Sequence, residues 1–468
     1  MVFSNLIFLY IFLPVCLTAY FLCRDIRAKN VVLIIFSLIF YAWGEPVYLF
    51  LMLAMAAANW GFGLLLQRQH RRAMLVLALV ADLGCLAVFK YTGFFVENLN
   101  ALLGTALAVP EISLPIGISF YTFQALSYTV DVWRGDVEAQ PSFAKFLLYI
   151  SLFPQLIAGP IVRYADVAAQ IDERSFNATQ AFYGATRFCM GLAKKVLLAD
   201  AAGKVASQIL GGSLATTTTV SAWLGMVLYT FEIYFDFSGY SDMAIGMGRI
   251  FGFKYMENFR LPYTSRSVTE FWRRWHISLS SFFRDYVYIP LGGKKKHRVF
   301  NMAAVWALTG LWHGASWNFV LWGVYFFVIL VIEKQLNGTL RRIPGPVRHI
   351  VTMLLIIFGW NIFYFTDLTQ LIHSFGVMFG LYGSGFSNMA AGISLINNLP
   401  LLLVCVLGST AIPQNIGNLF GGLCAQSQRT AGQVVYAVTV FLFDAALLAL
   451  STIALVGSTY NAFLYFRF

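Results

Sequence analysis

Residues 301–332 read NMAAVWALTGLWHGASWNFVLWGVYFFVILVI, a stretch of membrane-spanning length that carries no formal charge. One ionisable side chain, His313, stands near its middle. An ionisable group at membrane depth costs free energy unless it is paired or functional, so His313 is a candidate for catalysis or ligand binding. The alternative is a buried histidine that only forms a hydrogen bond with a neighbouring carbonyl group.

The composition places the chain among integral membrane proteins. Hydrophobic residues make up 59% of the sequence, charged residues 11%, and the mean hydropathy is +0.71. Soluble domains carry about 25% charged residues. We expect an all-α, polytopic bundle of roughly 10–12 transmembrane helices, because each span needs about 20 apolar residues, with the shorter segments re-entrant or interfacial. Candidate segments lie near 2–23, 30–43, 47–66, 73–89, 112–130, 143–162, 180–198, 219–250, 301–332, 349–366, 370–382, 397–412 and 433–456.

Positive charges flank the first apolar segments on one side only. Basic residues follow the first segment (24–29) and the third (68–72), whereas the turn at 44–46 has none. The positive-inside rule therefore predicts an external N-terminus and cytoplasmic basic loops. The first segment has no basic residue before Arg24, so we interpret it as a retained anchor rather than a cleaved signal.

Most of the net charge lies in one segment, Lys254–Arg298. It contains ten basic and three acidic residues, which gives +7 of the chain's +11. This segment is predicted to be cytoplasmic. Its basic surface can bind either anionic lipid headgroups or a phosphorylated small molecule.

A helix is predicted to begin within this segment. Ser267 and Glu270 have the spacing of a capping box in front of an apolar periodic run. At about 100° per residue, the aromatic and apolar side chains share one face, with Arg273 opposite. His276 lies at the edge of that face, where it either points into a protein cavity or sits at the membrane interface. The residues of the apolar face are Phe271, Trp272, Trp275, Leu279, Phe282, Phe283 and Tyr286.

Two carboxylates stand in the apolar segment before it. Glu232 and Asp236 are four residues apart and share one helical face. At membrane depth they need partners. They can form a proton or cation pathway, orient the histidines, or satisfy nearby Ser, Tyr and Arg groups in a broken helix around Ser238-Gly239. We favour a structural role for each, because such pairs often lock helices together.

Three long motifs together resemble the membrane-bound O-acyltransferase family, and within it the membrane subunit of bacterial alginate O-acetyltransferases. They are FDFSGYSDM at 235–243, EFWRRWHISLSSFFRDYVYIPLGG at 270–293 and GLWHGASWN at 310–318. LPIGISFYTFQ at 114–124 and FPQLIAGP at 153–160 are similar to the same branch. The resemblance runs from about residue 5 to 365. It implies one domain over 1–468, with core motifs at 114–332 and a basic cytoplasmic or interfacial segment at 254–300.

The resemblance implies a catalytic role for His313 and an assisting role for His276. The implied acyl donor is acetyl-CoA or another thioester, which approaches from the cytoplasm. Arg273 and Arg274 would bind its phosphates, and Trp312 would also contact the donor. Asn318 is a further donor-binding residue, unless it makes an interhelical hydrogen bond. A neutral His313 imidazole would take a hydroxyl proton at the narrow part of a central funnel. Water would be largely excluded from it by Trp312, Trp317 and Trp322.

The resemblance also implies the cellular setting, a multi-pass protein of the bacterial inner membrane. The expected partners are membrane lipids and a periplasmic or membrane-anchored acetyltransferase, which passes the acetyl group to an exported polysaccharide; no nucleic acid is expected. No permanently bound cofactor is implied. The six cysteines show no CxxC spacing, so neither a metal site nor a disulfide framework is expected.

Two other functions fit the same residues. A transporter would also place His313, Glu232 and Asp236 inside the membrane, although the two halves show no inverted repeat of hydropathy. A non-catalytic scaffold of a polysaccharide-export complex would not depend on His313. Among acyltransferases, enzymes that act on teichoic acid, peptidoglycan or cellulose are the nearest alternatives.

Overall fold

The protein folds into helices joined by short loops. The computed structural model describes residues 1–69, 71–340, 342–426, 430–457 and 463, and no strand occurs among them. This confirms the predicted all-α membrane fold. The α-helices are α1 (Leu13–Leu22), α2 (Ile26–Ala42), α3 (Tyr48–Gln69), α4 (Arg72–Leu103), α5 (Ile118–Arg134), α6 (Phe143–Ser151), α7 (Phe153–Leu156), α8 (Tyr164–Asp172), α9 (Ala178–Ala193), α10 (Asp200–Leu210), α11 (Thr219–Ile250), α12 (Val268–Arg274), α13 (Ile277–Phe283), α14 (Arg298–His313), α15 (Trp317–Gln335), α16 (Asn337–Leu340), α17 (Gly345–Tyr364), α18 (Leu368–Met378), α19 (Met389–Gly408), α20 (Ile412–Gln426) and α21 (Thr430–Val456).

Six helices of the described part are long and apolar enough to cross a membrane, judged by length and composition. They lie in α3, α4, α15, α17, α19 and α21. This number is lower than the roughly 10–12 spans expected, because several apolar segments form shorter helices. The segment near 112–130, for example, becomes the 17-residue helix α5.

The chain forms two compact units. The first unit comprises Met1–Ala185, Met243–Glu257 and Ser281–Pro290, and the second comprises Thr186–Asp242, Asn258–Ser280 and Leu291–Phe468. Every residue singled out above for a functional site belongs to the second unit. A single domain over 1–468 stays a prediction.

Each unit has an aromatic core of its own. In the first unit the Phe153 ring packs at 5.5 Å, centroid to centroid, from both Phe12 and Phe40. In the second unit Trp360 lies 4.9 Å from Trp275 by the same measure. Such ring pairs add to the apolar burial that holds the helices together.

The stretch 301–332 forms a helical hairpin rather than one span. α14 ends at His313, and α15 begins at Trp317 after a three-residue turn. The two helices approach closely where both carry glycine: a Cβ added at Gly323 would lie 2.5 Å from the carbonyl oxygen of Trp306. Small residues at such crossings let helix backbones pack directly against one another.

α11 is continuous through Ser238 and Gly239, so the alternative of a broken helix there is wrong. The glycine serves packing instead. A Cβ at Gly239 would lie 2.7 Å from the carbonyl oxygen of Gly191 in α9, which shows how closely the two helices pass.

We predict that Gly323→Ala destabilises the protein, because the added methyl group has no space in the hairpin. Overpacking of this kind costs about 1–3 kcal/mol. The thermal midpoint in detergent should fall. Gly392→Ala in α19 is the matched control, since a Cβ there meets nothing within 4 Å, and its midpoint should stay unchanged or rise. Equal midpoints for the two variants would contradict the close approach.

Candidate active site

His313 lies in an aromatic pocket. It is the last residue of α14 and is half-buried. Its ring centroid is 4.8 Å from Trp312, 4.9 Å from Trp322 and 5.1 Å from Phe363. Trp312 and Trp322 thus occupy the places expected from the sequence, whereas Trp317 is 52% exposed. The apolar walls lower the local dielectric around the imidazole.

His276 occupies a break in the helix that was predicted to start at Ser267. The expected continuous helix is wrong: α12 ends at Arg274, α13 starts at Ile277, and His276 has φ of 45° in the left-handed region. A non-glycine residue with this backbone is strained and needs surrounding contacts to hold it. The aromatic face of α12 packs inside the protein, since Phe271 and Trp275 are buried.

The His276 ring is enclosed by protein. It is 2% exposed, and its Nδ1 lies 3.2 Å from Oδ1 of Asn258. The ring makes edge contacts with Phe237 at 4.7 Å and Trp312 at 5.7 Å. Nε2 is buried without a hydrogen-bond partner among the described residues. Burial lowers the pKa of His276 to about 3, so the ring is neutral at neutral pH.

One tryptophan therefore links the two predicted catalytic histidines. Trp312 contacts the ring of His276 and that of His313, its neighbour in sequence. The sequence placed the histidines 37 positions apart, and the helix break together with the hairpin turn brings both to the same indole.

The start of α12 is held by a residue that no local sequence motif indicates. Ser267 Oγ accepts a hydrogen bond from Glu270 N, as predicted, but the Glu270 carboxylate accepts from Arg266 N instead of completing the box. The Glu333 carboxylate in α15 accepts from Val268 N and Thr269 N, at 2.6 and 2.8 Å. α15 thereby fixes the short helix that leads to His276. A cap so distant in sequence has no local signal.

The two predicted phosphate-binding arginines differ in their surroundings. Arg274 is held by Glu270 at 2.6 Å and by the Thr264 hydroxyl at 2.9 Å. Arg273 is exposed. Its positive charge repels the ammonium group of Lys334, as do the charges of Lys294 and Arg298.

We call Arg273, Lys294, Arg298 and Lys334 the basic cluster. The Lys334 ammonium also contacts the Met302 sulfur on α14, which places it beside the first turns of that helix. The basic cluster therefore lies beside the N-terminus of α14, where the helix dipole adds partial positive charge.

Asn318 makes an interhelical hydrogen bond, the alternative considered from the sequence. Its side-chain nitrogen donates to the carbonyl oxygens of Ile362 and Phe363, at 3.2 and 3.1 Å. These bonds join the start of α15 to the end of α17. They position Phe363 against His313, so a direct contact of Asn318 with a donor stays a prediction.

Glu232 and Asp236 share one face of α11 as predicted, and Asp236 makes a buried ion pair. Asp236 pairs at 2.6 Å with Lys195, which also pairs at 2.7 Å with Asp200. The Glu232 carboxylate packs against Gly203 of α10, so closely that a Cβ atom added at Gly203 would collide with it.

A second ion pair on α11 was not foreseen. Asp242 accepts from Arg187 at 2.8 Å and from Lys194 at 2.6 Å. Lys194 and Lys195 belong to a π-helical turn, Lys194–Ala199, which follows α9. These pairs favour the helix-locking role over a proton pathway for Asp236 and Asp242, because both carboxylates are already paired with a lysine.

We predict that Lys195→Met destabilises the protein strongly. Lys195 and Asp236 are only 3% and 4% exposed at their side chains, and removing the ammonium group leaves the buried Asp236 carboxylate without this cation. Breaking such a buried pair costs about 3–5 kcal/mol. Lys204→Met, at an exposed position in α10, is the control. A thermal midpoint for Lys195→Met close to that of the control would disprove the locking role.

General acid–base catalysis inside a membrane protein needs an ionisable side chain in a buried site. Here two histidines, His276 and His313, contact the same buried indole. The family model described as MBOAT, membrane-bound O-acyltransferase family, matches residues 65–374. The chain belongs to this family and is an O-acyltransferase.

Named relatives extend over most of the chain. Probable alginate O-acetylase AlgI from Azotobacter vinelandii is 37% identical over 100% of both chains. The protein of the same name from Pseudomonas aeruginosa is 41% identical over 81% of this chain and 75% of the relative. Peptidoglycan O-acetyltransferase from Helicobacter pylori is 29% identical over 100% of this chain and 98% of the relative.

Proposed function

We propose that this chain transfers an acetyl group from a cytoplasmic thioester donor for the O-acetylation of an exported polysaccharide such as alginate, within the bacterial inner membrane. The observation that carries the proposal is the placement of His313 and His276 at Trp312. The names of the relatives at 37% and 41% identity support the polysaccharide.

In the proposed reaction His313 acts as the general base. A neutral imidazole takes the proton from the attacking hydroxyl while the oxygen forms a bond to the acyl carbon. The bond between that carbon and the thioester sulfur then breaks, and the proton passes from the imidazolium to the departing thiolate. The products are an ester and a free thiol. The Trp322 and Phe363 walls limit access of water, which would otherwise hydrolyse the thioester.

The proposed donor, acetyl-CoA, carries its phosphates far from its thioester, and α14 offers a matching arrangement. The basic cluster lies at its start and His313 at its end, about 20 Å apart at 1.5 Å per residue. Phosphate groups are stabilised by lysine and arginine and by the N-terminus of a helix. We infer that the basic cluster binds the donor phosphates and that Arg273 contributes more than Arg274, whose guanidinium is already held by Glu270.

The compartments explain the proposed partners. Acetyl-CoA is charged and does not cross the hydrocarbon core of a bilayer, whereas an exported polysaccharide lies outside the cytoplasm. We infer that the acetyl group passes through this chain to a periplasmic or membrane-anchored acetyltransferase, which modifies the polymer. Membrane lipids surround the bundle.

Peptidoglycan is the second candidate acceptor. The relative from Helicobacter pylori named for that reaction matches the whole length of this chain. The chemistry proposed for His313 is the same for both polymers, since each offers sugar hydroxyl groups.

We predict that His313→Ala abolishes acetyl transfer. Loss of a general base typically costs about 10²- to 10⁴-fold in rate. The measurement is thiol release from labelled acetyl-CoA by the purified protein in lipid nanodiscs with periplasmic extract. His373→Ala, an exposed histidine in α18, should keep wild-type activity. Normal thiol release by His313→Ala would reject the catalytic assignment and favour a scaffold.

We predict that Arg273→Glu raises the KM for acetyl-CoA by about tenfold or more, because a charge-assisted phosphate contact is worth about 1.5–3 kcal/mol. A short acetyl thioester without phosphates is the control substrate, and its KM should not change. Arg274→Glu should lower the thermal midpoint instead, since it breaks the pair with Glu270. An unchanged KM for acetyl-CoA in Arg273→Glu would assign the basic cluster to lipid headgroups.

A further inference from the structure

A buried asparagine faces the imidazole of His276. The Asn258 side chain is 0% exposed, and its Oδ1 lies 3.2 Å from Nδ1 of His276. The same oxygen accepts hydrogen bonds from the backbone N–H of Ser278 at 3.2 Å and from the Ser278 hydroxyl at 2.9 Å. The amide nitrogen of Asn258 donates to the Ser241 hydroxyl at 3.2 Å.

The backbone N–H of Ser278 decides which end of the amide faces the histidine. A backbone N–H can only donate, so the Asn258 atom beside it must be the oxygen. That oxygen is also the atom beside Nδ1 of His276. A carbonyl oxygen only accepts. The Ser278 hydroxyl, 3.5 Å from Nδ1, already donates its one hydrogen to the same Asn258 oxygen, so it too faces Nδ1 as an acceptor. Nδ1 must therefore carry a hydrogen.

The other ring nitrogen then has a lone pair. In a neutral imidazole one nitrogen donates and the other accepts, and Nε2 of His276 is buried with no hydrogen-bond partner in the described parts of the chain. We propose that Asn258 is a positioning residue that fixes the Nδ1–H tautomer of His276 and presents Nε2 as an acceptor to an O–H or N–H group of a substrate. This inference rests on the proposed acyl transfer.

Asn258 also holds the backbone that carries the ring. The backbone carbonyl oxygen of Asn258 accepts a hydrogen bond from the backbone N–H of Ile277 at 3.0 Å. Two residues later, the backbone N–H of Arg260 donates to the backbone oxygen of Arg274 at 2.9 Å. These bonds lie on both sides of His276, whose φ of 45° requires such support. One residue thus sets the place of the imidazole and selects the nitrogen that faces the substrate.

An Nε2 lone pair restricts what His276 can bind. It cannot donate a hydrogen bond to the oxyanion that develops on the acyl carbon, so it has to meet a group that brings its own hydrogen. The acceptor hydroxyl and an amide N–H of the pantetheine arm of acetyl-CoA are the two sources. Contacts to these two groups have different effects on the kinetic constants. Loss of a contact to the donor amide raises the KM for acetyl-CoA, whereas loss of a contact to the acceptor hydroxyl lowers kcat at unchanged KM for that donor.

The first test is the tautomer itself, measured on the full-length protein in nanodiscs by nitrogen NMR with labelled histidine. The signal of His276 is assigned as the one lost in His276→Gln. We expect a protonated Nδ1 and an unprotonated Nε2. A protonated Nε2 in the wild-type protein would overturn the proposal, and this measurement needs no Asn258 variant to fold.

The second test uses three variants with acetyl-CoA as substrate. Asn258→Leu removes the acceptor oxygen, and we expect a mixture of tautomers. We also expect about a 10- to 100-fold loss in kcat or kcat/KM, by analogy with the loss seen when the hydrogen-bond partner of a metal-binding histidine is removed. Asn258→Asp keeps an acceptor and should retain the tautomer and more of the activity. Asn397→Leu makes the same substitution at an exposed position in α19 and should behave as wild type. Full activity in Asn258→Leu would contradict the positioning role.

The two tests separate this proposal from the proposed function. A wild-type protein with the expected tautomer that releases no thiol from acetyl-CoA would reject the acyl transfer and leave the assignment of the tautomer standing. An active protein with Nε2–H would reject only the role of Asn258.

Discussion

The site depends on the close approach of α14 and α15 at their glycines. Because Gly310 and Gly323 have no side chains, the two backbones nearly touch. The short turn after His313 then directs α15 back along α14 and brings Trp322 against the imidazole. α15 continues to Glu333, whose carboxylate holds the first turn of α12. The position of one histidine and the anchor of the segment that carries the other therefore follow from a single helix crossing.

Polar groups inside a helical membrane protein must find partners within the protein, and most of those in the second unit do. Asp236 and Asp242 are each paired with lysine, and Asn318 donates to two carbonyl groups at the end of α17. Several buried polar atoms of the described residues have no hydrogen-bond partner, and among them Nε2 of His276 is the one on a predicted catalytic side chain. A buried nitrogen with a vacant lone pair lowers stability unless a ligand satisfies it, so its presence is better explained by substrate binding than by packing.

Local signals in the sequence predicted a good part of this arrangement. Ser267 was identified as a helix cap from its spacing to Glu270, and the four-residue spacing of Glu232 and Asp236 placed both on one helical face. The helix break at His276 could not be predicted in this way. Histidine has no preference for left-handed backbone strong enough to end a helix, and the contacts that impose it come from Asn258, 18 positions away. The cap by Glu333 could not be predicted from local sequence either, because Glu333 lies 65 positions from Val268.

The hairpin turn shows a further limit of hydropathy. The residues Gly314, Ala315 and Ser316 are small and nearly apolar, so the run 301–332 scores as one uninterrupted span. Its interruption depends on packing of the two halves against each other, which hydropathy does not measure. The consequence is chemical as well as topological. His313 at the end of α14 is surrounded by side chains from α14, α15 and α17. An imidazole held from three helices has few orientations to lose when a substrate binds, so more of the binding free energy remains for the reaction.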